Sequence, residues 1–366
     1  MVSKVPLVVP PPSPSTPVSP RAPRGAPPVP QKSEGSPCPL THPPPPPPGI
    51  SSVLFASRLG CLEQEVPPDT ETFIRSIDTM FVTTLLTMAM PRALHRLCPR
   101  PWRSFCEAWD YLFAFAKGHI DRRVGQGLPR GTCLTDHLAR ERVPMKVIYG
   151  NVTELLLAGV DTISSTLSWS LYELARHPGV QAALHRELVA ALATGAGPLP
   201  ADGDPSATGS GSWATALDRV PLLRAVVKET LRLYPVIPAN ARVVPDRDIR
   251  VGDYLVPRKT LITLCHYVAS RDSRFFPAPD SFCPERWLRR DGPPSRAPHP
   301  FASLPFGLGK RSCVGRRLAE LEVRLALAQI LLRFEVRPEP GGGRVRPMTR
   351  TLLVPAATIN LQFLSR

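Results

Sequence analysis

Cys313 stands in the loop Phe306-Gly307-Leu308-Gly309-Lys310-Arg311-Ser312-Cys313-Val314-Gly315, which opens directly into the apolar-periodic stretch Arg316–Leu331. The arrangement puts one thiol on a glycine-bent turn at the start of a helix. A helix N-terminus carries partial positive charge and unpaired N–H groups, so it favours a sulfur anion. A cysteine in an intracellular chain is usually a small buried or free thiol. The neighbours point elsewhere. Gly309 and Gly315 permit a tight turn and close backbone approach, Phe306 can shield the sulfur from water, and Arg311 can pair with an anionic group.

A thiolate so placed suits the axial position of a haem iron, where it donates electron density and favours O–O cleavage. The pattern F-x-x-G-x-R-x-C-x-G, carried by Phe306, Gly309, Arg311, Cys313 and Gly315, resembles the haem-binding loop of the cytochrome P450 family. The resemblance implies haem b with Cys313 as the iron ligand, and Phe306, Arg311 and Gly315 as its surroundings.

The 366 residues divide by composition. Residues 1–50 hold 19 of the 47 prolines, including the unbroken run Pro43–Pro48. Such a segment cannot bury a core and is expected to be disordered, with polyproline II character. It could serve as an SH3 or WW ligand or be a passive tail. Residues 51–366 read as one globular unit, mainly α with small β-sheets. Helices are expected over 73–90, 102–123, 144–176, 179–193, 220–234 and 316–331, the last strongly amphipathic. A hairpin is expected over 249–264 around Gly252-Asp253, and short strands over 351–364. Residues 195–212 and 270–305 read as irregular.

Formal net charge is +15. That suits an acidic partner or an anionic membrane surface. No interleaving of basic and aromatic residues accompanies it, so nucleic-acid binding is not expected. The eight cysteines contain no C-x-x-C pair, which argues against zinc ribbons and dithiol redox motifs. No apolar run reaches transmembrane length, and no transit peptide is recognisable.

Three further constellations accompany the loop. Glu229 and Arg232 lie three apart on one helical face. Alone they would be an ordinary exposed pair. Beside the cysteine loop they resemble the family's E-x-x-R, and Pro284-Glu285-Arg286-Trp287 resembles its P-E-R-F segment, with Trp in place of Phe. The resemblance implies a buried Glu229/Arg232/Arg286 network that locks the loop, completed by backbone carbonyls near that loop. Ala158-Gly159-Val160-Asp161-Thr162 places weak helix formers inside the longest helix. Either small residues there meet a neighbouring helix, or the helix opens over a cofactor. The segment resembles the family's oxygen-binding motif, which makes Thr162 the hydroxyl that bonds dioxygen or its water and Asp161 a proton relay. Arg242, by itself a loop arginine, matches the family's second propionate partner.

Arg316 and Arg317, directly after the loop, resemble the mitochondrial branch of the family, whose electron donor is an acidic [2Fe–2S] ferredoxin of the adrenodoxin type. Lys228 is assigned to the same docking face. Alone, the two arginines are a solvated first turn. Longer stretches resemble the vitamin D-hydroxylating members. They imply O2-dependent hydroxylation of a secosteroid, 25-hydroxyvitamin D at the 1α position, with the sterol 27-hydroxylase type as alternative. Leu157, Val160, residues 236–240 and Thr351–Leu352 are the implied substrate-facing positions. The resemblance also implies the matrix side of the mitochondrial inner membrane, with peripheral membrane association possible. The family fold's N-terminal part is not recognisable, so an N-terminally truncated P450 fold is expected, and a non-catalytic variant is the remaining alternative.

Overall fold

The computed structural model describes residues 49–61, 63, 65–91, 99–127, 133–193, 213–244, 246–288 and 299–366. The proline-rich tail falls outside these except for Gly49 and Ile50, and the 195–212 loop lies wholly outside them. Ile50 opens the first helix.

The described helices are α1 (Ile50–Phe55), α2 (Pro68–Ala89), α3 (Pro99–Gly125), α4 (Leu134–Arg140), α5 (Met145–Arg176), α6 (Pro178–Ala193), α7 (Trp213–Asp218), α8 (Pro221–Leu233), α9 (His266–Ala269) and α10 (Arg316–Arg333). Proline punctuates them. Pro68 and Pro221 sit in the first turns of α2 and α8, where a missing N–H costs nothing and φ is already helical. This is why α2 starts before the periodic apolar stretch that predicts it.

The strands form two-stranded antiparallel sheets: β1 (Asn240–Val243) with β4 (Leu261–Leu264), β2 (Ile249–Val251) with β3 (Tyr254–Val256), β5 (Phe334–Pro338) with β8 (Leu361–Ser365), and β6 (Pro347–Thr349) with β7 (Leu353–Pro355). The expected hairpin over 249–264 therefore ends at Val256. Leu261–Leu264 pairs instead with Asn240–Val243, a partner that lies outside any local turn.

α5, 32 residues long, threads two apolar cores. Its first half sends Ile148, Val152, Leu156 and Leu157 into one core with α1, α2 and α3. Its last turns send Trp169, Leu171, Tyr172 and Leu174 into another with α6, α8, α10 and β5. Within α5 burial lapses between the two, where Ala158 and Ser164 are exposed. The Asp161-Thr162 pair sits in that gap. α10 buries Val323, Leu327, Ala328 and Leu331 along one stripe, as its amphipathic pattern predicts.

Candidate active site

Cys313 is exposed at the entrance to α10, and its backbone N–H donates to the Phe306 carbonyl at 2.9 Å. That bond closes the loop across the turn Gly309–Arg311. The turn depends on Gly307 (φ 70°) and Gly309 (φ 74°), left-handed positions that favour glycine. Gly315 differs from expectation. At φ −84° its backbone suits any residue, and a Cβ there would stand 4.0 Å from the Cys313 Sγ. A side chain there would touch the sulfur at ordinary van der Waals distance. The Arg316 guanidinium lies over the Phe306 ring, 5.2 Å from its centroid, and its Nε donates to Glu320 at 3.1 Å.

Arg311 and Arg242 are exposed. Among the described residues Arg242 donates to the neighbouring Ala241 carbonyl at 2.7 Å. Among the described residues neither has a carboxylate partner. An exposed soft thiol and two exposed guanidiniums without carboxylate partners are side-chain types that suit an iron porphyrin bearing propionates.

Glu229, Arg232 and Arg286 meet in one buried network. Arg232 is 0 % exposed and uses all five of its N–H donors. Its Nε and Nη2 fork onto Glu229 at 2.9 and 2.8 Å. Nη1 donates to the carbonyls of Ser270 and Pro279 at 3.0 and 2.6 Å, and Nη2 also to Ser281 at 3.0 Å. Arg286 Nε reaches Glu229 at 3.0 Å. The completing carbonyls belong to the 270–281 segment. A guanidinium fork aims several donors at one irregular strip, and the strip that lies against α8 is this one.

Trp287, the departure from the family's phenylalanine, is a member that the sequence reading missed. Its Nε1 donates to Glu229 at 2.8 Å, and the Lys228 ammonium lies over its ring, 5.6 Å from the centroid. The signal was the replacement of an apolar ring by one with a donor. Trp287→Phe is expected to lower stability by about 1.5 kcal/mol in urea unfolding, the worth of a hydrogen bond to a charged group. An unchanged midpoint would show that this bond contributes nothing.

The Asp161-Thr162 segment remains helical throughout. The hydroxyls explain why weak helix formers are tolerated. Thr162 donates to the Ala158 carbonyl at 2.6 Å, Thr166 to Thr162 at 2.7 Å and Ser170 to Thr166 at 2.8 Å. These bonds are satisfied within the helix itself. Gly159 meets α1: a Cβ there would lie 2.8 Å from Ile50 Cγ1. The small-residue contact is therefore what the structure contains. Leu157 belongs to the core, Val160 packs at its edge, and Leu352 is buried. The Thr351 hydroxyl donates to the Phe81 carbonyl at 2.8 Å.

Burial, and then the negative charge of Asp78 on α2, push the Asp161 carboxyl from 3.8 up to about 6. The folded state therefore holds this proton where the unfolded chain has lost it. Stability falls as pH rises from about 4 to 6 and stays lowered above. Asp161→Asn is expected to unfold like the wild type at about pH 4 and to be about 1–2 kcal/mol more stable at about pH 7.5, after discounting for partial exposure. A difference independent of pH would contradict this assignment. Glu322 is a second carboxyl that the sequence reading missed. It is buried on α10, its Oε1 has no partner among the described residues, and desolvation pushes it up to about 7. Its sequence signal was a charged residue within the apolar stripe.

A groove of about 350 Å³ separates α7 and α8 from α10, with Lys228, Arg224, Arg316 and Arg324 against Asp218 and Glu320. Arg324, Arg224 and Arg316 pair with these two acids. Lys228 has no carboxylate partner among the described residues. Arg317 is exposed in the same first turn of α10, outside the groove lining.

Residues 48–363 match the family described as Cytochrome P450. The chain belongs to the cytochrome P450 family. It is 59% identical over 329 residues to the mitochondrial 25-hydroxyvitamin D-1 alpha hydroxylase of Homo sapiens, covering 87% of this chain and 61% of that protein. Its identity to the Rattus norvegicus protein of the same name is 58% over 329 residues, covering 87% and 62%. Identity to the mitochondrial sterol 26-hydroxylase of Oryctolagus cuniculus is 42% over 327 residues, covering 86% and 58%. The chain thus spans about three-fifths of the length of these relatives. The crystal structure of the cytochrome P450DA heme domain superposes with a TM-score of 0.70 at 24% identity, over 87% of this chain and 65% of that one. The P450 fold is mainly helical with small antiparallel sheets, as expected, and family membership implies haem with cysteine thiolate ligation. Among the described residues no helix is long and apolar enough to cross a membrane.

Proposed function

We propose that this chain is a haem-thiolate monooxygenase that hydroxylates 25-hydroxyvitamin D at the 1α position, with residues 51–366 as its haem domain. The observation that carries the reading is the exposed Cys313 thiol at the head of α10, in a chain 59% identical to a curated 1α-hydroxylase. Cys313 would bind the iron of haem b, with Arg242 and Arg311 on its propionates. Phe306, half-buried in the cysteine loop, would keep water from the sulfur. When bound, the haem supplies activation of O2 for insertion of one oxygen atom into a C–H bond.

The chain's own residues then have defined tasks. The Asp161 carboxyl, held near neutral pH by burial, accepts and releases protons at physiological pH. The Thr162 hydroxyl beside it can turn from the Ala158 carbonyl to carry a proton onward. The Glu229/Arg232/Arg286 network fixes the chain on either side of Arg271 and Asp280 against α8. Lys228, Arg316 and Arg317 form a basic face for an acidic adrenodoxin-type ferredoxin, which predicts docking that weakens with salt. The relatives' names favour a mitochondrial location, and the matrix side of the inner membrane would bring the chain to such a donor.

The test is reconstitution. The reduced protein under carbon monoxide should give the red-shifted Soret band of a thiolate-ligated haem. With ferredoxin, its reductase and 25-hydroxyvitamin D it should yield the 1α,25-dihydroxy product. A side-chain hydroxylated product would favour the sterol hydroxylase reading. A folded protein with no red-shifted band would overturn the haem-thiolate assignment.

A further inference from the structure

A second cavity, of about 420 Å³, shares no lining residue with the cysteine loop or the α8/α10 groove. Three arginines line it: Arg271 from the turn after α9, and Arg344 and Arg346 from the segment before β6. Tyr234 and Tyr267 supply aromatic wall, and Asp280 is the one acid in the lining. Asp280 is already engaged by Arg271 Nε at 3.2 Å. Arg344 and Arg346 have no carboxylate partner among the described residues.

The Arg271 guanidinium lies over the Tyr267 ring, 4.1 Å from its centroid. Stacking covers its flat face and leaves its edge N–H groups for in-plane acceptors. Its Nη1 is buried with no acceptor among the described residues. A buried guanidinium donor left unmade is costly, so turning this edge toward an acceptor held in the cavity would be favourable.

The walls are held in place before any ligand arrives. Arg232 fastens the carbonyls of Ser270, Pro279 and Ser281, which flank Arg271 and Asp280. On the other wall the Val345 N–H donates to the Tyr172 hydroxyl at 3.0 Å, and the Arg346 carbonyl accepts from Ala356 at 2.9 Å. The arginines are therefore carried on fixed backbone, which lowers the ordering cost of binding.

We propose that this cavity binds a small phosphate-bearing anion, outside the oxidation site. A phosphoryl group offers three or more oxygens to three guanidiniums at once, whereas a carboxylate offers two. A free phosphate compound and the headgroup of an acidic phospholipid present the same chemistry. The test uses the full chain with two probes at constant ionic strength: inorganic pyrophosphate by calorimetry, and phosphatidic acid vesicles by co-sedimentation. The double variant Arg344→Ala/Arg346→Ala alters only the loop wall, and Arg250→Ala on the β2–β3 hairpin controls for charge. The expected result is a loss of about tenfold or more for at least one probe in the double variant, with the control unchanged. The probe that loses affinity identifies the source. Equal binding of both probes by wild type and double variant, no binding of either, or succinate binding as tightly as pyrophosphate would overturn the proposal.

Discussion

Arg232→Ala is expected to cost about 3–5 kcal/mol of folding free energy, the penalty for stranding a buried charge. Glu229, itself 0 % exposed, would lose a bidentate partner at 2.8 and 2.9 Å. The carbonyls of Ser270, Pro279 and Ser281 would lose their donor in the same step. Arg286 and Trp287 would still reach Glu229, and Arg286 Nη1 would keep the Pro277 carbonyl at 3.1 Å, but neither replaces the donors to Ser270, Pro279 and Ser281. Arg232→Lys keeps the charge but has three donors where five are used, so it should recover only part of the loss. Urea unfolding measures both variants. An alanine variant within about 1 kcal/mol of wild type would mean that the network does not hold the fold. Haem content, measured on the folded fraction, should fall with it if the network also steadies the cysteine loop.

Cys313→Ser is expected to do the opposite: leave the fold intact and abolish the thiolate signature. The side chain is exposed, and its loop is closed by the backbone N–H to Phe306 at 2.9 Å, a bond serine retains. Stability should stay within about 0.5 kcal/mol of wild type. The reduced carbon monoxide complex should lose the red-shifted Soret band, and product formation should fall below detection. A serine variant with the red-shifted band intact would remove Cys313 from the iron. Together the two substitutions separate what holds the scaffold from what meets the cofactor.

Much of the candidate site was legible because its signals are local. A cysteine on a turn with glycine at 307 and 309, followed by a helix, is written in consecutive residues. Glu229 and Arg232 share a face because α8 repeats every 3.6 residues. Even the gap in burial along α5 follows from the run of small and hydroxylated residues at 158–166. The same run leaves helix continuity open, because composition does not reveal that the Thr162 and Thr166 hydroxyls return to carbonyls one turn back.

The sequence by itself determined the positions of the six longer helices, through proline placement and apolar period, and the presentation of Cys313 at a helix start. Only the tertiary structure decided which carbonyls receive Arg232, that Trp287 donates to Glu229, that Leu261–Leu264 pairs with Asn240–Val243, and that three arginines from two distant segments line one cavity. The physical reason is range. Backbone periodicity and turn chemistry act over a few residues, whereas these partners lie far apart in the chain and meet only after the cores around α5 have formed.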